Sequence, residues 1–215
     1  HFAGVATSAF RQASNKNEAK SFLSQSGINI SVITQSQEAS LEFYGALSKN
    51  ADADIATTCV WGIGGSSMQI TCDNNGTIES YLGQVASVSF KKIMINTQQC
   101  PGFFPCLGEK PEKESPNPIS LQDYNNVNKF LSRESKKILK TFPNQLSSKR
   151  IIGIGGVHYY SVSKALDQKT YTKEDLLAYL QTKLDKTDDE LGGGKYVDTS
   201  VSNLVLVHQL MTELT

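Results

Sequence analysis

Two glycine-rich turns define the chemistry to be considered. Gly62–Ser67 reads GIGGSS and Gly153–Gly156 reads GIGG, each at the end of an apolar run. A turn that brings backbone N–H groups against phosphate oxygens cannot carry bulky side chains. Glycine permits the approach, and serine adds a hydroxyl donor. Gly64, Gly65, Ser66 and Ser67 are therefore candidate phosphate ligands. Gly155 and Gly156 join them, because they precede an expected helix whose N-terminus favours anions. One such turn is equally well a plain hairpin, with its serines filling the bend; two, each closing an apolar strand, point to an anionic ligand. Arg11 offers a planar guanidinium suited to phosphate, with an ordinary surface arginine as the alternative. Gln69 can orient a water but cannot take its proton. His158 after the second turn reads as structural, Tyr159 and Tyr160 as packing or stacking at a cleft edge, and His208 as a core or interface residue.

The elements that must position these residues follow from periodicity. FAGVATSAF reads as a strand running into a turn, NKNEAKSFLSQSG as a helix stopping at Gly27, and INISVIT as an alternating strand. SQEASLEFYGALSKN places Ala39, Phe43 and Ala46 or Leu47 on one helical face, with Ser36 as its cap. Strand-helix-strand-helix predicts an α/β fold with parallel pairing. From Thr57 the pattern changes. TTCVWGI and SMQITC are strands around the first glycine turn, and GTIESYLGQVASVSF supplies one or two more, giving a mixed sheet. QQCPGFFPCLGEKPEKESPNP reads as an exposed insertion. Then come a long helix over SLQDYNNVNKFLSRESKKILKTF, a strand, turn and helix over KRIIGIGGVHYYSVSKAL, a Thr-capped helix over TKEDLLAYLQTKL, and an apolar helix over SVSNLVLVHQLMTEL. The change of pattern divides the chain into residues 1–50 in one lobe and 51–215 in a second, with a return of the last helix to the first lobe left open.

The bulk numbers exclude some classes. Of 215 residues, 39% are hydrophobic and 20% charged, which suits a packed core rather than disorder. Lys+Arg and Asp+Glu both number 21, so no broad field draws the chain to nucleic acid or an anionic membrane. No apolar run is long enough to span a bilayer. The four cysteines contain no C-x-x-C pair, which argues against zinc. If the hairpin turns on Gly64–Ser67, Cys59 and Cys72 oppose each other across it, close enough for a bridge. Cys100 and Cys106 flank a Pro-Gly turn and are expected to close a small loop. Two local pairs favour an oxidising compartment, hence a periplasmic or secreted location over a cytoplasmic one. Four buried thiols in a cytosolic protein are the alternative.

The order of segments carries a resemblance. Ala6, Thr7, Ala9, Arg11, Ala13 and Asn15, then Glu38, Ala39 and Leu41, fall as in the exopolyphosphatase / guanosine pentaphosphate phosphohydrolase family. That family has a strand ending A-T-x-A-x-R-x-A-x-N, a helix, a second strand, and a helix opening E-A-x-L. Its next turn, D-I-G-G-G-S-x-E, lies where this chain has GIGGSSMQ, and a later glycine turn matches GIGG. The resemblance implies an actin-like, ribonuclease-H-like fold of two α/β lobes with phosphate in the cleft. It implies hydrolysis of the terminal phosphate of polyphosphate or a nucleotide polyphosphate, with Glu38 as the base that polarises water; a first-turn carboxylate stabilising the helix dipole is the alternative for that residue. It also implies magnesium, yet the aspartate that helps hold the ion or its waters is Gly62 here, the turn's glutamate is Gln69, and its third glycine is Ser66. Ser67 and Gln69 look instead like the S-x-Q of ectonucleotidase apyrases. Members of these families open with a further segment bearing a first phosphate-binding turn, which is not in this sequence. The first lobe is thus expected to be completed by an N-terminal segment or by a second chain. The competing expectation is a non-catalytic member that holds phosphate or a protein.

Overall fold

The computed structural model describes residues 2–100, 113–143 and 146–214. Strand β1 (Phe2–Ala6) leads through the short α1 (Ser8–Gln12) and α2 (Lys16–Gln25) to β2 (Ile28–Val32). β1 and β2 pair in parallel as a sheet of their own. Helix α3 (Gln35–Lys49) follows. Its cap is Thr34 rather than Ser36: Thr34 Oγ1 accepts from the Gln37 N–H, and Gln37 Oε1 accepts from the Thr34 N–H. The reciprocal pair satisfies two otherwise orphaned donors, which Ser36 inside the first turn has no geometry to do.

The second sheet has the order β5-β4-β3-β6. β3 (Thr58–Ile63), β4 (Met68–Asn74) and β5 (Thr77–Gly83) form an antiparallel meander, and β6 (Arg150–Ile154) lies parallel to β3. The mixed sheet is as expected. Val85 to Phe90 is not a further strand: α4 (Ser87–Gln99) begins there, its first turn fixed by Ser89 Oγ accepting from the Ala86 N–H at 2.8 Å. α5 (Leu121–Thr141), a π-helical stretch (Val157–Ser163) running into α6 (Lys164–Leu166), α7 (Lys173–Gln181) and α8 (Val197–Leu214) complete the chain.

The two faces of this sheet are covered differently. Alternation sends Cys59, Trp61, Ile63, Met68, Ile70 and Cys72 to one side, where they pack with Phe90 and Met94 of α4, Leu131 and Ile138 of α5, and Val205 and Leu206 of α8. The opposite side carries α3, whose Phe43 and Ala46 rest on Val60, Ile152 and Ile154. β3, covered on both faces, is buried along its whole length. The boundary at residue 50 thus does not separate α3 from the four-stranded sheet, on which it lies, and α8 packs with α4, α5 and α7, within residues 51–215. Cys59 and Cys72 are directly opposed and bridged, with Cα atoms 4.4 Å apart. Cys106 lies outside the described residues, so its pairing with Cys100 does too. No described helix is long and apolar enough to cross a membrane.

Candidate functional site

Parallel pairing of β3 with β6 places Gly62 beside Ile154, so both strands deliver their glycine turns at the same end of the sheet. Gly155 has φ +89°, and a Cβ there would stand 2.8 Å from the Ile63 carbonyl oxygen. Conformation and space both require glycine, and the second turn lies directly against the head of β3. In the first turn the Gly64 N–H donates to the Ser67 carbonyl at 2.9 Å. The carbonyls of Gly64 and Gly65 accept from Ser87 and Val88 at the start of α4, at 3.1 and 2.7 Å. Gly64 and Gly65 are exposed, Ser66 is half-buried and Ser67 is buried.

Arg11 and Glu38 are brought together. The guanidinium stands 2.8 Å from Glu38 Oε2 and donates to the Ile33 carbonyl at 3.1 Å, and both side chains are largely buried. Arg11 thus ties α1 to the residue after β2 and to the first turn of α3, and its charge is already paired with a carboxylate.

One turn along α3 from Glu38 stands Glu42, which the sequence reading passed over. Its Oε2 accepts from Gln69 Nε2 at 3.1 Å. Gln69 is 2% exposed, and its Oε1 accepts from Gln35 Nε2 at 3.1 Å. Gln35 also donates to the Met68 and Gly83 carbonyls, and its own oxygen accepts from Gln84 at 2.8 Å. Both ends of the Gln69 amide are therefore engaged in a string running from Gln84 to Glu42. A Cβ on Gly62 would collide with Glu42 Oε2, so the carboxylate covers the glycine. Burial pushes the Glu42 carboxyl up to about 7; the Gln69 bond pulls it down and the nearby Glu38 adds to the rise. A signal for Glu42 exists in the sequence. It lies four residues after Glu38 and on the inward stripe with Gln35, Ala39 and Ala46.

The histidines stand elsewhere. His158 lies on the other face of the sheet, edge-on to Trp61 at 4.8 Å and 3.0 Å from the Tyr171 hydroxyl. Burial pushes it down to about 3, so it is neutral. His208 meets the Tyr124 hydroxyl at 2.8 Å within the helical layer. Tyr159 and Tyr160, at 58% and 65% exposure, form an edge-on pair beside the second turn.

The residues present do not fit a resident magnesium ion. Gly62 offers no ligand, Glu38 is paired with Arg11, and Glu42 is bonded to Gln69. Among the described residues no three His, Cys, Asp or Glu side chains converge.

Comparison with known proteins bears on the fold that carries these residues. Residues 3–92 match the model of the Ppx/GppA phosphatase family. The whole chain superposes on an exopolyphosphatase from Cytophaga hutchinsonii with TM-score 0.72 at 16% identity, over 68% of that chain. The Aquifex aeolicus PPX-GPPA enzyme matches 98% of this chain with TM-score 0.69 at 16% identity, over 67% of its own length. An exopolyphosphatase-like protein gives TM-score 0.69 at 20% identity, covering 98% of this chain and 66% of the other. No curated protein matches the sequence. The fold expected from the resemblance is thus the one found, that of the Ppx/GppA structures. The chain spans about two thirds of the length of the structures it matches.

Proposed function

We propose that this chain is the phosphate-handling part of an exopolyphosphatase-type phosphohydrolase, releasing the terminal phosphate of polyphosphate or of a nucleotide polyphosphate. The family match over residues 3–92 supports phosphatase-type chemistry. The observation that carries the reading is the convergence at one end of the sheet: Gly155 against the Ile63 carbonyl sets the two glycine turns side by side, next to the carboxylates of α3. In this reading the amide and hydroxyl groups of Gly65, Ser66, Ser67 and Gly156 surround the phosphoryl oxygens. Glu38, oriented by Arg11, polarises a water. The water oxygen bonds to phosphorus, the bridging P–O bond breaks with its electron pair going to the departing phosphate chain, and the water's proton leaves on a site carboxylate. Magnesium is proposed only as an ion carried in by the substrate phosphates. A nearby segment or second chain supplies the remaining walls of the cleft. The Cys59–Cys72 bridge supports a periplasmic or secreted setting.

A phosphate-release assay on polyphosphate and nucleotide polyphosphates, with magnesium and on the full-length protein including the segment or chain that completes the cleft, tests this. Release is expected, and Glu38→Gln should lower turnover by roughly two or more orders of magnitude with little change in KM. Arg11→Ala should weaken substrate binding and turnover together, because it removes a phosphate-facing charge and releases Glu38. A second reading, a non-catalytic phosphate- or protein-binding member, is favoured by Gly62 and Gln69 standing where the family carries carboxylates. Tight phosphate binding without release would decide for it.

A further inference from the structure

Tyr160 lies one turn after Gly156, and a Cβ on that glycine would stand 3.8 Å from its ring. The ring therefore abuts the second glycine turn. It also lines a groove of about 210 Å³ between the π-helical stretch, the end of α7 and the start of α8. Tyr179 of α7 and Tyr196, just ahead of α8, line the same groove, with Leu191, Val201 and Leu204 as apolar wall. Tyr160 and Tyr196 remain 65% and 70% exposed, so their rings are open to a ligand. Tyr159 braces Tyr160 edge-on, at 4.7 Å between ring centres. Three rings gathered on one groove, two of them held mostly in water, offer stacking surface that nothing within the fold uses.

Charge and polarity narrow the class of ligand. Each ring has an ammonium over it: Lys164 on Tyr160 at 5.9 Å, Lys183 on Tyr179 at 4.9 Å and Lys195 on Tyr196 at 5.3 Å. None of these lysines has an acidic partner among the described residues. No acidic side chain lines the groove. An aromatic groove with this field suits a planar ring that carries negative charge. Two serines add polar contacts. Ser161 Oγ accepts from Asn203 Nδ2 at 3.0 Å, which leaves its own hydrogen to donate. Ser200 Oγ donates to the Val197 carbonyl at 2.8 Å, which leaves its lone pairs to accept. One donor and one acceptor beside stacking rings match the polar edge of a nucleobase.

From this geometry we infer that the groove is a base subsite, and that the preferred substrate is a nucleotide polyphosphate rather than inorganic polyphosphate. The base stacks on Tyr160 and Tyr196 while the phosphates reach the glycine turns. The inference rests on the phosphohydrolase reading and adds to it the part of the substrate that is not phosphate. The groove is smaller than the roughly 300–1,000 Å³ of sites that enclose a whole small molecule. It takes one ring system and leaves the sugar and phosphates outside, on the side where Tyr160 meets Gly156. Inorganic polyphosphate has no group to place there.

The test compares ATP and GTP with inorganic tripolyphosphate, which has the same number of phosphates and no nucleoside. The full-length protein is used, including the segment or chain that completes the cleft, with magnesium. Phosphate release gives kcat/KM, and equilibrium dialysis gives affinity. The better nucleotide should exceed tripolyphosphate at least about tenfold in kcat/KM. Tyr160→Ala and Tyr196→Ala should each lower that ratio roughly fivefold or more, through KM, which is the scale of one base–aromatic stack. Tyr160→Phe and Tyr196→Phe should keep it, since the ring is retained. A ratio near one in wild type would overturn the inference and leave the phosphohydrolase reading standing. So would a ratio that both alanine variants leave unchanged. No release from any substrate, with nucleotides still bound more tightly than tripolyphosphate through the two tyrosines, would overturn the reading and uphold the base subsite. Neither release nor binding would overturn both.

Discussion

The two faces of the four-stranded sheet teach different lessons. On the face toward α4, α5 and α8, side chains from all three helices and β3 and β4 form one continuous apolar layer. On the α3 face the apolar contact is short: Phe43 and Ala46 on Val60, with Ile152 and Ile154 beside them. Toward the glycine turns it gives way to Gln84, Gln35, Gln69 and Glu42, with Glu38 and Arg11 beyond. The same strands thus hold the fold together on one side and carry polar, titratable groups on the other. Separation of this kind lets a half-buried carboxylate persist: its cost is local, and it is borne by the stability of the opposite face.

Disturbing the apolar face should give the largest change in stability. Phe90 is fully buried in that layer, and Phe90→Ala should lower unfolding free energy by about 3–5 kcal/mol in urea titrations, with activity falling only as the folded fraction falls. The bridge within the sheet comes next. Cys59 and Cys72 are separated by 13 residues, and replacing both by alanine should destabilise by about 3 kcal/mol, the scale for closing a loop of that length. Free-thiol titration of the denatured, unreduced protein should find neither residue reactive. The α3 face should respond in activity more than in stability, and Gly155→Ala sharpens that contrast. The φ of +89° and the nearby Ile63 carbonyl should cost about 1–3 kcal/mol and shift the second turn, so phosphate affinity should drop more than that loss alone explains.

The smallest effect is the pH dependence of stability. The folded value of Glu42, about 7, lies above the ordinary 4.5. The folded protein therefore holds an extra proton between these values. The contribution of Glu42 is fully present below the lower value, declines as pH rises through about 7, and is constant above. His158 works in the opposite sense, its folded value of about 3 lying below the ordinary 6.5. Its contribution is fully present above 6.5 and is lost as pH falls toward 3. The two partly cancel between 4.5 and 6.5, so the difference between wild type and Glu42→Gln isolates the carboxyl. That difference in urea midpoint should shift in favour of the glutamine variant as pH rises from 5 to 8.

Much of this arrangement was legible in the residues. The pairing of Cys59 with Cys72 followed from the symmetry of the hairpin, and the two glycine turns announced themselves as gaps in apolar strands. α3 was readable as a helix because Ala39, Phe43 and Ala46 recur at its period. Where α3 packs was not readable, since periodicity says that a stripe is buried and not against which sheet. The start of α4 was misread because Val85, Val88 and Phe90 suit a strand as well as a helix, and the Ser89 cap settles the matter only in three dimensions. Glu42 escaped for a related reason. Its meaning depends on Gly62, twenty residues away in sequence, and only the packing of α3 across β3 brings the missing side chain and the extra carboxylate to one place.

The central claim is that the α3 face, with its two glycine turns, performs hydrolysis and does not merely hold phosphate. The most direct measurement is the ³¹P spectrum of inorganic polyphosphate incubated with magnesium and the full-length protein, including the segment or chain that completes the cleft. The account predicts that inorganic phosphate grows steadily at the expense of the chain signal, and that Glu38→Gln nearly abolishes the change. A spectrum that stays constant over hours, while phosphate signals broaden from binding, would contradict it.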